Sequence, residues 1–223
     1  MQVSNQNNRI NFTSAPLHSV NLKKITNRAD DGISKAIISK LNPNDKLDEA
    51  AIRDVNKTWH YLSNHIHCLY VDFSKNFDPS TEYFAVETQE PKNLANKIIG
   101  LMQVCTQKSF ITKRENLVLS TLATKPDFMH GNESRSLKNV GEALFGDTFS
   151  MAKEKNTANI KFFATKNNYK FYSDSLTKAG LNESEFGNPS SENLYEFIIN
   201  EKSFDRCINY YQNKFCPKPS ALI

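Results

Sequence analysis

The chain has 223 residues and a mass of 25.4 kDa, with 39% hydrophobic and 23% charged residues, which is enough for one well-packed core. A mean hydropathy of -0.57 without any apolar run of 18 residues excludes a membrane-spanning helix, and 15 Phe with 8 Tyr exclude wholesale disorder. The pI near 8.7 is below the value expected of a dedicated nucleic-acid domain, so we expect no nucleic-acid partner. The lack of an apolar span likewise predicts no membrane partner.

The two ends of the chain indicate tails around a single domain. The first 11 residues are polar and lack the charged and apolar segments of a secretory signal. We expect a flexible tail at 1–16, one domain at 17–215 and a second tail at 216–223. The four cysteines show no CxxC spacing and indicate free thiols in a reducing cytoplasm. A non-classical export address in the N-terminal tail stays an alternative.

Between these tails, hydrophobic periodicity predicts strands and helices in a defined order. A β-branched strand comes first, followed by an amphipathic helix and by residues 65–73, which fit either a short helix or an irregular strand. Three strands follow, the first two of them as a hairpin, and then helix, strand, helix, strand and a C-terminal helix. The predicted strands are 35–41, 83–88, 97–104, 116–124, 159–165 and 194–199, and the predicted helices are 47–62, 140–152, 169–179 and 204–215.

Local motifs within this framework resemble a known family. Ile98-Ile99-Gly100 opens a strand, and Ser136-Leu137-Lys138-Asn139-Val140-Gly141 precedes a helix in the manner of a Q/R-x-x-G-x-G/A loop. A later strand ends in Ala164, and the next helix carries Phe171-Tyr172 and ends at Gly180-Leu181. Over residues 34–200, this ordered set resembles the GNAT superfamily of acyl-CoA N-acyltransferases.

The resemblance implies an α/β (α+β) fold with a mixed, mostly antiparallel central sheet flanked by helices and a V-shaped cofactor cleft. It implies acetyl-CoA as co-substrate and a primary amine of a small molecule or protein as acceptor, with direct attack in a ternary complex. No metal is expected, because His65 and His67 lack a second ligand pair at zinc spacing.

The family's loop binds the CoA phosphates, since a helix N-terminus offers free amides and a positive dipole end. Two departures bear on this site: Ser136 replaces Gln or Arg, and Asn139 replaces the first Gly, although Asn tolerates a left-handed conformation. Glu142 suits the dipole of its own helix but repels a phosphate. The residues that the resemblance assigns to the cofactor are Leu122, Ala123, Thr124, Arg135, Ser136, Lys138, Asn139, Val140, Gly141 and Asn167.

For catalysis, the resemblance implies a backbone N–H near Leu122 or Ala123 that stabilises the developing oxyanion. Tyr172 matches the tyrosine that protonates the leaving sulfur, with Tyr169 in reserve. Gly180 follows Tyr172 by eight residues, whereas the family's usual gap is four.

The general base is less defined by the sequence. Glu87 is the first candidate, with Glu115 and Glu90 weaker, and a water on Ser120 or Thr121 is the alternative. Two rival functions stay open. The departures at Ser136 and Asn139 and the changed spacing of Gly180 suit a catalytically degenerate module that binds CoA or a protein, and the N-terminal tail suits an exported interaction protein. The acceptor, the acyl-chain preference and the oligomeric state are not predicted.

Overall fold

The computed structural model describes residues 15–26, 29–59, 63–76, 78–88, 97–108, 113–129, 136–191 and 193–216. Its strands are β1 (Ala15–Thr26), β2 (Ala29–Leu41), β3 (Thr81–Thr88), β4 (Ile98–Lys108), β5 (Glu115–Thr124), β6 (Leu137–Lys138), β7 (Asn159–Thr165), β8 (Asn188–Ser191) and β9 (Leu194–Asn200). Its helices are α1 (Lys46–Thr58), α2 (Ser63–Lys75), α3 (Val140–Glu154), α4 (Lys166–Lys178) and α5 (Phe204–Phe215). Within these ranges, no helix has the length and apolar character needed to cross a membrane.

All the described strands belong to one sheet with the order β6-β1-β2-β3-β4-β5-β7-β9-β8. Neighbours are antiparallel except β5 and β7, which run parallel. A parallel pair needs a crossover, and α3 lies in the connection from β5 to β7. The expected mixed, mostly antiparallel sheet is therefore confirmed.

Helices cover both faces of this sheet. On one face, α1 and α2 pack against β3 and β4 through a core that includes Ile52, Trp59 and Phe73. On the other face, a larger core contains side chains from α3, α4 and α5. A Cβ at Gly146 of α3 would lie 2.5 Å from the ring of Tyr211, so this glycine lets α5 approach α3 closely.

Most predicted elements lie where the periodicity placed them, and the exceptions have physical reasons. The ambiguous segment 65–73 is part of α2, because its buried residues Ile66, Leu69 and Phe73 recur at helical spacing. Strands β1, β6 and β8 were not predicted, and α1 ends at Thr58, whereas the helix was predicted over 47–62, of which 60–62 lie outside the described residues. Ala15 and Pro16, which we expected in the flexible tail, are residues of β1 and pair with β2.

Candidate functional site

The parallel strands β5 and β7 separate to form a wedge in the middle of the sheet. They pair only at Asn116–Asn159, Leu117–Ile160 and Val118–Lys161. Beyond these pairs, β5 stays bonded to β4 as far as Thr124, and β7 stays bonded to β9 as far as Thr165. The sheet therefore divides into two arms, and the wedge opens toward the carboxyl ends of both strands. This is the V-shaped cleft that the sequence predicted.

Among the described strands, none lies beside the edge of β5 that faces the wedge. Over residues 119–124, one edge of β5 pairs with β4, while the other edge faces the wedge. Backbone N–H and C=O groups on such an edge need other partners, and an extended ligand can supply them. Leu122, Ala123 and Thr124, all predicted to contact the cofactor, lie on this stretch.

A β-bulge also lies on this stretch of β5. Thr121 pairs with Gln103 and Leu119 pairs with Val104, so Ser120 is an extra residue in β5. A bulge bends its strand and increases the local twist. It lies where β5 leaves β7, which gives a local cause for the separation of the two strands.

The N-terminus of α3 lies at the open end of the wedge. Asn139 precedes the helix in the left-handed region, with φ 70° and ψ 16°, and its side chain does not cap the first turn. The carbonyl of Asn139 accepts from Ala143 N, as in a regular first turn. The amides of Val140, Gly141 and Glu142 lie in that turn, where a helix has no internal acceptors for them.

Two glycines let α3 reach this position. A Cβ at Gly100 would lie 2.8 Å from Val140 Cγ1, so this glycine of β4 allows the first turn of α3 to cross the strand. A Cβ at Gly141 would lie 3.0 Å from Thr124 Oγ1 and 3.8 Å from the ring of Phe171. The sequence linked Gly141 only to phosphate binding, whereas the structure adds a protein contact that also favours a small residue.

Charges around this helix end are mostly positive. Glu142, whose effect on a phosphate was ambiguous, forms an ion pair of 2.5 Å with Lys214 of α5, so its charge is offset. Lys138 lies in β6 beside Lys23 of β1. Ser136 is exposed, and its carbonyl accepts from Ile25 N. Arg135 lies outside the described residues.

A second helix N-terminus lies at the same end of the wedge. Helix α4 begins at Lys166, directly after the last residue of β7, and the Thr165 side chain does not cap it. Asn167, predicted to contact the cofactor, is exposed in this first turn. Two helix dipoles thus direct their positive ends toward the open end of the wedge, as suits an anionic ligand.

Tyr172, the predicted general acid, lies on α4 with its ring in an aromatic core. Its ring centroid is 4.6 Å from that of Phe162 and 5.2 Å from that of Phe145, and 9% of the residue is exposed. Burial raises the pKa of Tyr172 well above its ordinary value. Gly180 ends the helix with φ 87°, and the residue four places before it is Leu176, which is fully buried. No tyrosine therefore has the family's spacing.

Glu87, the first candidate base, is not on a strand that borders the wedge. It lies on β3, two strands or about 10 Å from β5. Its carboxylate is buried and forms an ion pair of 2.5 Å with Lys97. Glu115 begins β5 at the closed end of the wedge, and Glu90 lies outside the described residues. The structure thus does not bring a predicted base together with the phosphate-binding candidates.

A hydrogen-bonded chain that the sequence reasoning missed borders the wedge. Gln103 Nε2 donates to Asp72 Oδ2 of α2 at 3.2 Å, and Thr121 Oγ1 donates to Gln103 Oε1 at 3.3 Å. Gln103 is 7% exposed and is the one polar residue in the buried run 98–104 of β4. A polar residue within a buried strand needs a partner, and this signal was available in the sequence.

A separate cavity of about 520 Å³ lies between β1, α3 and α5. The pair His18–Asp147, with 3.4 Å between Nε2 and Oδ1, lines it. None of the predicted site residues lines this cavity. In the part of the chain that the structure describes, no cluster of three or more His, Cys, Asp or Glu side chains has the arrangement of a metal site.

The fold is similar to solved acetyltransferase structures. The NatC complex bound to Gag peptide and CoA aligns with a TM-score of 0.50 and 11% identity, over 74% of this chain and 98% of that one. A putative GNAT acetyltransferase of Desulfovibrio desulfuricans aligns at 0.50 with 7% identity, over 74% and 99%. NAA60 of Arabidopsis thaliana with a bisubstrate analogue aligns at 0.50 with 9% identity, over 74% and 98%.

These similarities define the class of fold: the chain has the GNAT acetyltransferase fold, as the sequence motifs predicted. No protein-family model matches the sequence, and a search of curated proteins finds no match. At 7–11% identity, the likeness defines the fold and leaves substrate and activity to be argued from the residues.

Proposed function

We propose that the protein is an N-acetyltransferase that moves an acetyl group from acetyl-CoA to a primary amine of a small molecule or protein. The observation that carries this proposal is the wedge between β5 and β7, with the N-termini of α3 and α4 at its open end. A thioester ligand with a long polar arm and a pyrophosphate needs an extended edge for the arm and free amides for the phosphates. The wedge supplies both features.

The described residues fit acetyl-CoA. The first-turn amides of α3, preceded by left-handed Asn139, would donate to the pyrophosphate, with Lys138 adding positive charge. Because Lys214 offsets Glu142, the nearest carboxylate does not oppose phosphate binding. The arm would bond to the backbone of Leu122–Thr124 as an added strand would.

Acetyl-CoA supplies an activated thioester, and the residues of the wedge position and polarise it. The attacking amine forms a C–N bond as the C–S bond breaks, and direct attack needs no covalent enzyme intermediate. A backbone N–H at Leu122 or Ala123 would donate to the developing oxyanion, a contribution of about 3 kcal/mol when the donor is preorganised. The amine gives up a proton, and the leaving sulfur gains one.

The proton donor for the leaving sulfur would be a tyrosine of α4. Tyr172 remains our candidate, because it matches the family's tyrosine in the Phe171-Tyr172 motif. Burial raises its pKa, so it stays protonated throughout the physiological range but donates its proton less readily. Tyr169, half-buried against Tyr195, is the reserve candidate. For the base, we favour a water over Glu87, whose carboxylate forms an ion pair with Lys97.

A second candidate function is a binding module that has lost catalysis. Leu176 at the position of the family's tyrosine, the burial of Tyr172 and the ion pair of Glu87 favour this reading. The module would bind CoA through the same wedge and transfer nothing.

One experiment separates these functions. Acetyl-CoA binding is measured by calorimetry, and acetyl transfer is then followed by mass spectrometry with spermidine, an aminoglycoside and a set of short peptides with free N-termini. Binding with a mass gain of one acetyl group on any amine supports the enzyme. Binding without transfer to any member supports the module. No binding at millimolar acetyl-CoA contradicts both.

A further inference from the structure

We propose that Thr121 Oγ1 accepts a hydrogen bond from the acceptor amine. We also propose that Asp72 and Gln103 orient the Thr121 hydroxyl so that its oxygen can accept but its hydrogen cannot be donated to the amine. The inference rests on the proposed function, since it concerns the amine that attacks in the wedge. It assigns Thr121 as a binding residue and Asp72 and Gln103 as positioning residues. It also favours acceptors that carry a hydrogen-bond donor at the attacking atom, as a primary amine does.

The position of Thr121 suits this role. It lies on the stretch of β5 that has no partner on the β7 side, directly after the bulge at Ser120. Its side chain is on the face that carries α2, next to Gln103 of β4 in the sheet register. The residue is half-buried, so the hydroxyl is neither sealed in the core nor fully solvated.

The direction of the hydrogen bonds from Asp72 to Thr121 follows from the chemistry of the Asp72 side chain. A carboxylate oxygen accepts, and the Gln103 amide turns its NH₂ group toward Asp72 Oδ2. The amide then presents its carbonyl oxygen at the opposite end. Thr121 has a hydroxyl that can donate or accept, and beside a carbonyl it must donate.

Thr121 is left with lone pairs and no second hydrogen. The single hydroxyl hydrogen is committed to Gln103 Oε1, so any further bond to Thr121 Oγ1 must come from a donor. A primary amine carries such a donor, whereas an ester oxygen or a carboxylate at the same place would face lone pairs. Asp72 on α2 therefore determines the polarity of a group in the wedge through two hydrogen bonds.

Tyr83 of β3, which lies next to Gln103, does not reverse the direction of these hydrogen bonds. Tyr83 lies beside Gln103 in register, and burial, with the charge of Asp72 adding to it, raises the pKa of Tyr83 to about 12. Tyr83 therefore stays neutral at any working pH. Its ring packs edge-on against Phe73 of α2, with the ring centroids 4.9 Å apart.

Two analogues that differ in one atom test the proposal without knowledge of the natural acceptor. Both are CoA thioethers: one ends in an N-ethylacetamide group and the other in the matching ethyl ester. Only the amide has an N–H at the position of the attacking nitrogen. Calorimetry measures the ratio of their dissociation constants for each variant, and this ratio cancels general effects on fold or on CoA binding.

We expect the wild-type protein to prefer the amide by about fivefold, the value of one net hydrogen bond. Thr121→Val should remove the preference, and the matched control Thr121→Ser should retain it. Asp72→Lys should abolish or reverse the preference, because a lysine can only donate and so turns the Gln103 amide around.

Three outcomes would overturn the proposal. Equal affinities of the wild-type protein for both analogues would show that Thr121 does not accept from the amine, and so would a preference that survives Thr121→Val. A preference unchanged by Asp72→Lys would remove the positioning role of Asp72 and Gln103. A fourth outcome, no binding of either analogue at millimolar concentration, would instead contradict the proposed function itself.

Discussion

Replacement of Gly141 by alanine separates the role of this residue in packing from its role in ligand binding. The new Cβ would lie 3.0 Å from Thr124 Oγ1, and rotation of that half-buried hydroxyl costs about 0.5–1.5 kcal/mol. Alanine regains up to about 1 kcal/mol of helix propensity. These terms nearly cancel, so we expect the free energy of unfolding to change by less than about 1 kcal/mol.

The effect on acetyl-CoA should be larger. The methyl group would lie at the open end of the wedge, near the first-turn amides of α3 and 3.8 Å from Phe171 Cζ. Loss of one charge-assisted hydrogen bond costs about 1.5–3 kcal/mol, or roughly 10- to 100-fold in affinity. Acetyl-CoA at a hundredfold excess over its dissociation constant stabilises the wild-type protein by about 2.7 kcal/mol, and a 30-fold weaker site leaves about 0.9 kcal/mol.

Thermal unfolding with and without acetyl-CoA measures this difference. For a chain of this size, the wild-type shift should be about 5–10 °C and the Gly141→Ala shift about 2–4 °C. The double variant Gly141→Ala/Thr124→Ala removes Thr124 Oγ1, the atom that the new methyl group contacts. If acetyl-CoA also binds weakly to the double variant, the methyl group itself hinders binding, and the contact with Thr124 is not the cause. An unchanged shift for Gly141→Ala would refute the placement of the phosphates at α3.

Three further predictions concern other parts of the structure. Tyr172→Phe should leave the fold and acetyl-CoA affinity unchanged and lower acetyl transfer at least about tenfold in steady-state assays; unchanged turnover would remove Tyr172 from the mechanism. Burial raises the pKa of Asp147 to about 6, and the charge of His18 opposes this shift. Because the folded protein therefore favours the protonated carboxyl group, its free energy of unfolding should be highest below about pH 4 and should fall as the pH rises through 6. Asp147→Asn should not show this loss, so at pH 7 its free energy of unfolding in urea should exceed that of the wild-type protein by at most about 3 kcal/mol. The same dependence of the free energy of unfolding on pH in both proteins would contradict the assignment. Gly146→Ala should destabilise the protein by about 1–3 kcal/mol in the same assay, because its Cβ would lie 2.5 Å from Tyr211, and wild-type stability would show that α3 and α5 are less tightly packed.

Much of the fold was accessible from the sequence, because periodicity is strong where one face of an element is buried. The strand predicted at 159–165 is β7 as observed, and the helix predicted at 204–215 is α5. β1 was missed, since only Val20 and Leu22 are buried among its many polar residues. β8 was missed because Pro189 and its neighbours do not resemble a strand by composition.

The candidate site was less predictable than the fold. The loop that we propose binds the phosphates could be suggested from the sequence, because its motif is contiguous and precedes a helix N-terminus. The chain from Asp72 through Gln103 to Thr121 joins a helix and two strands that are far apart in sequence, and only the register of β4 against β5 brings these residues together. The candidate general acid was assigned from the family resemblance, and local spacing could not reveal the burial of Tyr172.

The central claim is that acetyl-CoA binds in the wedge between β5 and β7. Hydrogen exchange of the intact chain, measured by mass spectrometry with and without saturating acetyl-CoA, tests it most directly. We predict slower exchange at 119–124 on the free edge of β5, at 139–142 at the start of α3 and at 165–168 at the start of α4. Unchanged exchange in all three segments, or slower exchange confined to the cavity between β1, α3 and α5, would contradict the account.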